Sequence, residues 1–419
     1  MKLDWKYGRA SVGFEVPDSN VLSVLEPKQL QPLRDPAEAI VGAIRNPIGS
    51  DPLNKIVSER NRVAIIVSDI TRPCPSHKVL PPLVGELIKQ GLDKSNITIF
   101  FATGMHRGHT ADEQKVLAGQ DIAGSFELID HNSKDETNLV SLGKTRRGTD
   151  VSINRAVLDY DVRIGLANLD VHWFAGYSGG AKSLVPGMAA FSTIRQNHSL
   201  MLLPGAETGR ADGNPVREDL EEAVGMTGLD FVVNVVLNDN KEIVKVVAGD
   251  FVKAHRAGIP PNDYMYKVQI PERGDIVIAT AGGHPKDINL YQAQKGLDNA
   301  ACAVKDGGTI VLLADCKEGL GDATLESWLT EANSPDDIIE RLKKSFQLGG
   351  HKAFAIARTG KKAEIILVSN LSDTLARKAF MTPVKSITDA LDMAFRQQGQ
   401  DAKVILMPYA GSTLPCQKK

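Results

Sequence analysis

The sequence predicts an α/β protein: two Rossmann-like domains with the active site in the cleft between them. Three observations lead there. Short, continuous apolar runs alternate with amphipathic helical patterns along most of the chain, as expected of parallel strands buried on both faces and joined by helical crossovers. A proline cluster, Pro260, Pro261 and Pro271, separates two such series. Reactive side chains gather directly after several apolar runs, where open α/β sheets hold their ligands.

The elements follow in order. Lys2 to Tyr7 and Ala10 to Val16 have strand composition, and Pro36 to Arg45 reads as a helix opened by Asp35 with proline in its first turn. Val63 to Ser68, Asn96 to Ala102, Ser125 to Asp130 and Val162 to Ala167 read as strands, with helices over Lys78 to Gln90 and Ala111 to Leu117. Phe191 to Leu200 reads as a further helix. The second series places strands at Asp275 to Thr280, Thr309 to Leu313, Ala363 to Val368 and Lys403 to Met407. Helical patterns lie between them at Leu290 to Val304, Pro335 to Lys344, His351 to Arg358 and Ile387 to Gln397. The expected domains are 1–270, which binds a cofactor and carries catalysis, and 271–419, which adds substrate contacts; whether the residues beyond about Met407 return to the first domain is left open by the sequence.

With 419 residues and 42% hydrophobic side chains, each domain is large enough for its own core. The formal charge of −2 removes the electrostatic case for a nucleic-acid partner. No apolar stretch of about 18 residues exists to span a bilayer, and Met1 to Gly8 lacks the character of a signal peptide. Cys74, Cys302, Cys316 and Cys416 are too scattered for a metal knot and too few for a disulfide framework. They read as reduced thiols, and the chain is expected in the cytoplasm, away from membranes.

The chemistry lies after the strands. Asp69-Ile70-Thr71-Arg72 follows the first, and Thr103-Gly104-Met105-His106 the second. Arg72 offers a planar fork for a carboxylate, with Asp69 as an acceptor for hydroxyls. His106, tucked behind a strand end, suits acid/base work near neutral pH, whereas His109 reads as a satisfied or surface histidine. His172-Trp173-Phe174 leads into Gly176-Tyr177-Ser178-Gly179-Gly180-Ala181-Lys182-Ser183. That run fails as a nucleotide-phosphate loop, because Ala181 holds the place where the pattern needs glycine. Lys182 is then structural, phosphate-binding or covalently linked to a carbonyl-type group. A fourth cluster, Gly282-Gly283-His284-Pro285-Lys286-Asp287, follows the strand at 275–280. No glycine fingerprint for a dinucleotide opens any of the helices, which weakens a 2-hydroxy acid dehydrogenase reading.

Taken together, Asp69 to Pro73, Thr103 to Arg107, His172 to Lys182, Ile194 to His198 and Leu290 to Gly296 closely resemble the nickel-dependent lactate racemase family, in order and across nearly the whole chain. The resemblance implies that Lys182 is joined through a thioamide to a nickel-pincer nucleotide, a pyridinium mononucleotide with two sulfur groups. His198 would be the protein ligand to nickel. His106 and His172 would be the acid/base catalysts, and Asp69, Ile70, Thr71 and Arg72 would line cofactor and substrate. Gln292 and Lys295, with Tyr291 beside them, would contact the substrate together with Arg72. The implied reaction inverts C2 of a 2-hydroxy acid, lactate or a relative, by reversible hydride transfer to the cofactor. Cofactor-biosynthesis proteins would be transient partners. A non-catalytic carrier of the cofactor would not need His106, His172 and Lys295.

One region departs from the family pattern. Lactate-specific members carry a tryptophan near the segment matched by Gly349 to Phe354, and the tryptophans here are Trp5, Trp173 and Trp328. His351 and Lys352 in that segment read as solvated residues at a helix start; facing the pocket, they would admit a larger or anionic tail.

Overall fold

The computed structural model describes residues 1–344 and 346–417. The chain forms two compact units, one of Gln29–Met265 and one of Met1–Lys28 together with the chain from Tyr266 onward.

The sheet of the first unit has the order Ile243–Gly249, Phe231–Leu237, Val162–Leu169, Val63–Ser68, Ile97–Ala102, Glu127–Asp130. All neighbours are parallel except the first pair. The chain starts in the middle at Val63–Ser68, winds outward to Glu127–Asp130, then crosses to the other side at Val162–Leu169. That reversal leaves a crevice at the carboxyl ends of the two central strands. One face of the sheet, through Ile65, Val67, Ile99, Phe101 and Ile164, packs on helices Pro36–Arg45 and Ser76–Lys89. Asp35 caps the first of these, accepting from the Glu38 N–H at 2.9 Å, a contact worth about 1 kcal/mol. The opposite face is cut away at Gly165, where a Cβ would come within 2.9 Å of Ser183. The turn bearing Lys182 therefore lies directly on the strands.

Two strands of this sheet, Phe231–Leu237 and Ile243–Gly249, and the hairpin Leu139–Lys144 with Asp150–Asn154 are additional to those expected from the sequence. Asn234 interrupts the apolar run of the first and disguises it. The proline linker is not a linker: Pro260 and Pro261 lie inside the helix Lys253–Tyr266. Ala254, His255, Asn262 and Met265 are buried there, and that packing outweighs the lost amide donors.

The second sheet is all parallel, in the order Thr382–Val384, Glu364–Val368, Val304–Leu313, Gly274–Thr280, Val404–Met407, Val21–Val24. The expected boundary at 270 thus needs correction, because the N-terminal residues belong with this unit. Val21–Val24 extends its edge, and Trp5, Phe14 and Val16 of the N-terminal hairpin join the core of Ile276, Val311 and Leu406. Nor do the last described residues return to the first unit. Leu414–Gln417 pairs with Lys267–Ile270 instead.

Candidate active site

The strand Val63–Ser68 ends in a turn built by one carboxylate. Asp69 Oδ1 accepts from the Thr71 N–H at 2.8 Å and from Thr71 Oγ1 at 2.5 Å, and its Oδ2 lies 2.6 Å from His106 Nδ1. Asp69 is only 3% exposed. Burial pushes its carboxyl up, but the hydrogen bond and charge of His106, the Thr71 hydroxyl and the Arg72 charge together hold it below the usual carboxylate range. An ionised carboxylate only accepts, so the His106 proton sits on Nδ1 and the Nε2 lone pair is the basic end of the ring. Backbone bonds from His106 N–H to Thr103 O (2.9 Å) and from Gly104 N–H to Gly187 O (3.1 Å) fix the loop behind it.

His109, three residues on, has a different part. Its Nδ1 lies 2.6 Å from Asp130 Oδ1, and its Nε2 accepts from the Ile70 N–H at 3.1 Å. It is the satisfied histidine expected, and it also clamps the Asp69 turn. Ile70 packs part of its side chain against the core and gives its amide proton to His109.

After Val162–Leu169 the chain makes a small hairpin, pairing Val171 with Tyr177 and His172 with Gly176. Phe174, buried at its tip, is the point on which three of the predicted residues, His172, Lys182 and His198, converge. The rings of His172 and His198 meet it edge-on at 4.6 Å and 5.0 Å, and Lys182 Nζ is 5.9 Å from its centroid. Gly176 is required here. Its φ is +74°, and a Cβ would fall 1.8 Å from Arg210 O.

A buried cation holds the loop from beneath. Arg217, 0% exposed on the helix Pro215–Thr227, donates to the carbonyls of Ala175 (3.4 Å), Gly179 (3.3 Å) and Tyr177. Asn234 Oδ1 accepts from the Gly180 N–H at 2.9 Å, and His255 Nε2 donates to Ser178 O at 3.0 Å. None of these three was singled out from sequence, since a helical arginine ordinarily reads as a solvated side chain.

Electrostatics follow from this crowding. Burial first, then the charges of Arg217 and Arg72, hold the Lys182 amine well below the ordinary lysine range. Burial, then Lys182, Arg72, His198 and Arg217, do the same to His172. A lysine that loses its proton easily is a nucleophile. The Asn197 amide donates to Val216 O (3.1 Å) and Asp219 Oδ2 (2.9 Å), which turns its Oδ1 toward His198 Nδ1 at 3.1 Å. The proton of His198 is thereby placed on Nδ1, and Nε2 becomes the side with a lone pair for a metal. Among the described residues no three His, Cys, Asp or Glu side chains form a metal-binding group.

The remaining predicted residues belong to the other unit. Tyr291, Gln292 and Lys295 lie on the helix Leu290–Ala303, capped by Asn289, whose Oδ1 accepts from the Gln292 N–H at 3.0 Å. Gln292 and Lys295 are exposed and Tyr291 is half-buried. The expectation that His351 and Lys352 are solvated is overturned. His351 is buried, accepts at Nδ1 from the Gly349 N–H (3.1 Å), stacks on Phe346, and is pushed down to about 3 by burial and then by Lys352. Lys352 donates to Gln294 Oε1 at 2.7 Å and lies 5.2 Å from the Tyr291 ring centroid. Their helix, Gly350–Lys362, packs along Leu290–Ala303, with Lys352 bonded to Gln294, Arg358 to Asp298 and Lys362 to the Ala301 carbonyl.

Comparison with known proteins agrees with this geometry. Residues 7–209 match the lactate racemase N-terminal domain and residues 270–414 the lactate racemase C-terminal domain. The chain is 31% identical to a lactate racemase of Thermoanaerobacterium thermosaccharolyticum, covering 98% of each. It is 33% identical to one of Lactiplantibacillus plantarum, covering 97% of each. The structure of the T. thermosaccharolyticum lactate racemase apoprotein superposes with a TM-score of 0.90 at 30% identity, over 99% of this chain and 100% of that one. A Thermotoga maritima protein shares the fold alone, with a TM-score of 0.66 at 17% identity over 93% of this chain and 100% of that one. Matches at this identity across both halves are membership and not mere likeness: the chain belongs to the lactate racemase family and is an isomerase.

Proposed function

We propose that the protein inverts C2 of a 2-hydroxy acid, lactate or a relative, by reversible hydride transfer, with His106 and His172 moving the hydroxyl proton. The observation that carries the reading is the meeting of Lys182 and His198 on Phe174. A readily deprotonated amine and an imidazole whose Nε2 lone pair is the metal-ready side lie against the same ring. These groups suit a nickel-pincer nucleotide, attached through Lys182 and ligated at nickel by His198. When bound, that group supplies a reversible acceptor for the C2 hydrogen with its electron pair.

The rest of the reaction falls to the chain. The C2 hydrogen lies next to a carboxylate, so its removal as a proton would build a second negative charge; hydride loss avoids this. His106 Nε2 takes the hydroxyl proton as the alcohol becomes a ketone, and the Asp69 carboxylate 2.6 Å behind it stabilises the resulting imidazolium. For the mirror-image substrate the hydroxyl lies on the other side, and His172 has that part. His172 takes its proton only by giving up the weak 3.3 Å contact from the Ala175 N–H. Arg72 has the part of orienting the substrate carboxylate, and Lys295, with Gln292 and Tyr291 on the same helix, that of further substrate contacts. Cofactor-making proteins load the chain transiently, in a cytoplasm that suits its four free thiols.

The test is isotopic. Nickel-loaded protein given L-lactate deuterated at C2 should form the D enantiomer with the label retained, and unlabelled lactate in heavy water should gain none. Loss of label to solvent at the rate of racemisation would replace hydride transfer with proton abstraction.

A further inference from the structure

Lys352 and Lys295 repel each other, and the carboxylate that acts on Lys352, Asp298, is shared with an arginine. Tyr291, Gln294, Lys295 and Asp298 recur at helical spacing on Leu290–Ala303, so they share one face. Lys352 lies over that face, bonded to Gln294 Oε1 at 2.7 Å with Tyr291 at 5.2 Å. The nearby carboxylate, Asp298, is already bonded to Arg358 at 3.1 Å. Burial, with Lys295 adding to it against the pull of Asp298, brings the Lys352 amine down to about 8, so it is still largely protonated at neutral pH. Gln294 is 1% exposed, and its Nε2 has no hydrogen-bond partner. A glutamate at 294 would have neutralised Lys352. The amide instead orients the ammonium and leaves its charge balanced only by an Asp298 that Arg358 already engages, which costs free energy unless a further anion arrives.

We infer that Lys352 binds a second carboxylate on the substrate, so that the substrate is a 2-hydroxy dicarboxylic acid whose far carboxylate meets Lys352 while its near one is held by Lys295. This rests on the reading of Leu290–Ala303 as the substrate-contacting helix. Lys352 is then a substrate-binding residue that sets specificity. A desolvated ammonium–carboxylate contact is worth about 10- to 100-fold in discrimination.

The experiment measures kcat/KM for racemisation of malate and of lactate by the nickel-loaded wild type, Lys352→Met and Gln294→Glu, each checked for nickel content and melting temperature. Wild type should prefer malate by about 10- to 100-fold. Lys352→Met should lose that factor on malate and change less than about threefold on lactate. Gln294→Glu, which keeps the lysine and neutralises it, should lose the malate preference with its melting temperature intact. A wild type that prefers lactate, or variants that lose both substrates equally, would overturn the proposal without touching the racemase reading. Nickel lost from Lys352→Met would give the lysine to the cofactor and also overturn it. A loaded wild type that racemises no 2-hydroxy acid would sink the parent reading, and this one with it.

Discussion

Replacing Asp69 by asparagine exchanges one oxygen for an amide group in a side chain that is 3% exposed. The surroundings dictate how the new side chain sits. Thr71 donates to Oδ1 from both its N–H and its hydroxyl, at 2.8 Å and 2.5 Å, so the amide oxygen stays there and the NH₂ faces His106 Nδ1. That nitrogen must then accept, which moves the ring proton to Nε2, the end that has to take the substrate proton. Loss of a charge-assisted hydrogen bond alone would cost about 1.5–3 kcal/mol, or roughly 10- to 150-fold. A reversed tautomer behind a catalytic histidine costs about 10⁴ in kcat, and the Thr71 geometry selects the larger effect. Asp69→Ala leaves the ring free to adopt either tautomer and should fall in the smaller range. The assay is kcat for racemisation by chiral chromatography, normalised to nickel per chain, with melting temperatures to exclude unfolding. Asparagine retaining more than about a tenth of wild-type activity, or alanine proving worse than asparagine, would refute the assignment of proton positions.

Three further outcomes follow from the same geometry. In the apoprotein at neutral pH, Lys182 should react with a small amine-acylating reagent ahead of the surface lysines, read by peptide mass mapping, because burial and two neighbouring arginines depress its amine; labelling no faster than the surface average would contradict this. Arg217→Met should destabilise the fold by about 3 kcal/mol or more, since the buried carbonyls of Ala175, Tyr177 and Gly179 lose their donor, as a urea titration would show. Stability should also fall on acidification between about pH 6.5 and 4. His131, pushed down to about 4 by burial, stays neutral in the fold while the unfolded chain takes up a proton near 6.5. The unfolded state binds more protons in that window, so stability rises with pH there, by about 3 kcal/mol for this residue. A flat denaturation midpoint across the window would refute it.

Asp69 and His106 stand out in the sequence because each closely follows a buried apolar strand, and parallel sheets put strand ends at the crevice; Lys182 lies well past its strand and stands out only through the glycine-rich run before it. Two kinds of information were hidden. Non-local pairing was one: the pairing of Val21–Val24 with Val404–Met407 joins the two ends of the chain and has no local signature. Buried polar groups were the other. Arg217, Asn234 and His255 carry the Lys182 loop, yet periodicity assigns a lone charge or amide to solvent or says nothing about it. Lys352 and His351 went the same way, because only helix packing reveals that a helix-start lysine lies over a neighbouring tyrosine. Asn214 was not singled out from the sequence, although asparagine before Pro215 is a helix-cap signal; its Nδ2 also donates to Phe174 O at 2.9 Å, tying the cap to the hub of the site.

Intact-protein mass with nickel analysis, on chain co-expressed with the cofactor-making proteins, tests the central claim most directly. A covalent adduct on wild type, with roughly one nickel per chain and neither on Lys182→Ala, is the predicted result. Bare mass without nickel, in a host where a control racemase is loaded, would contradict the account.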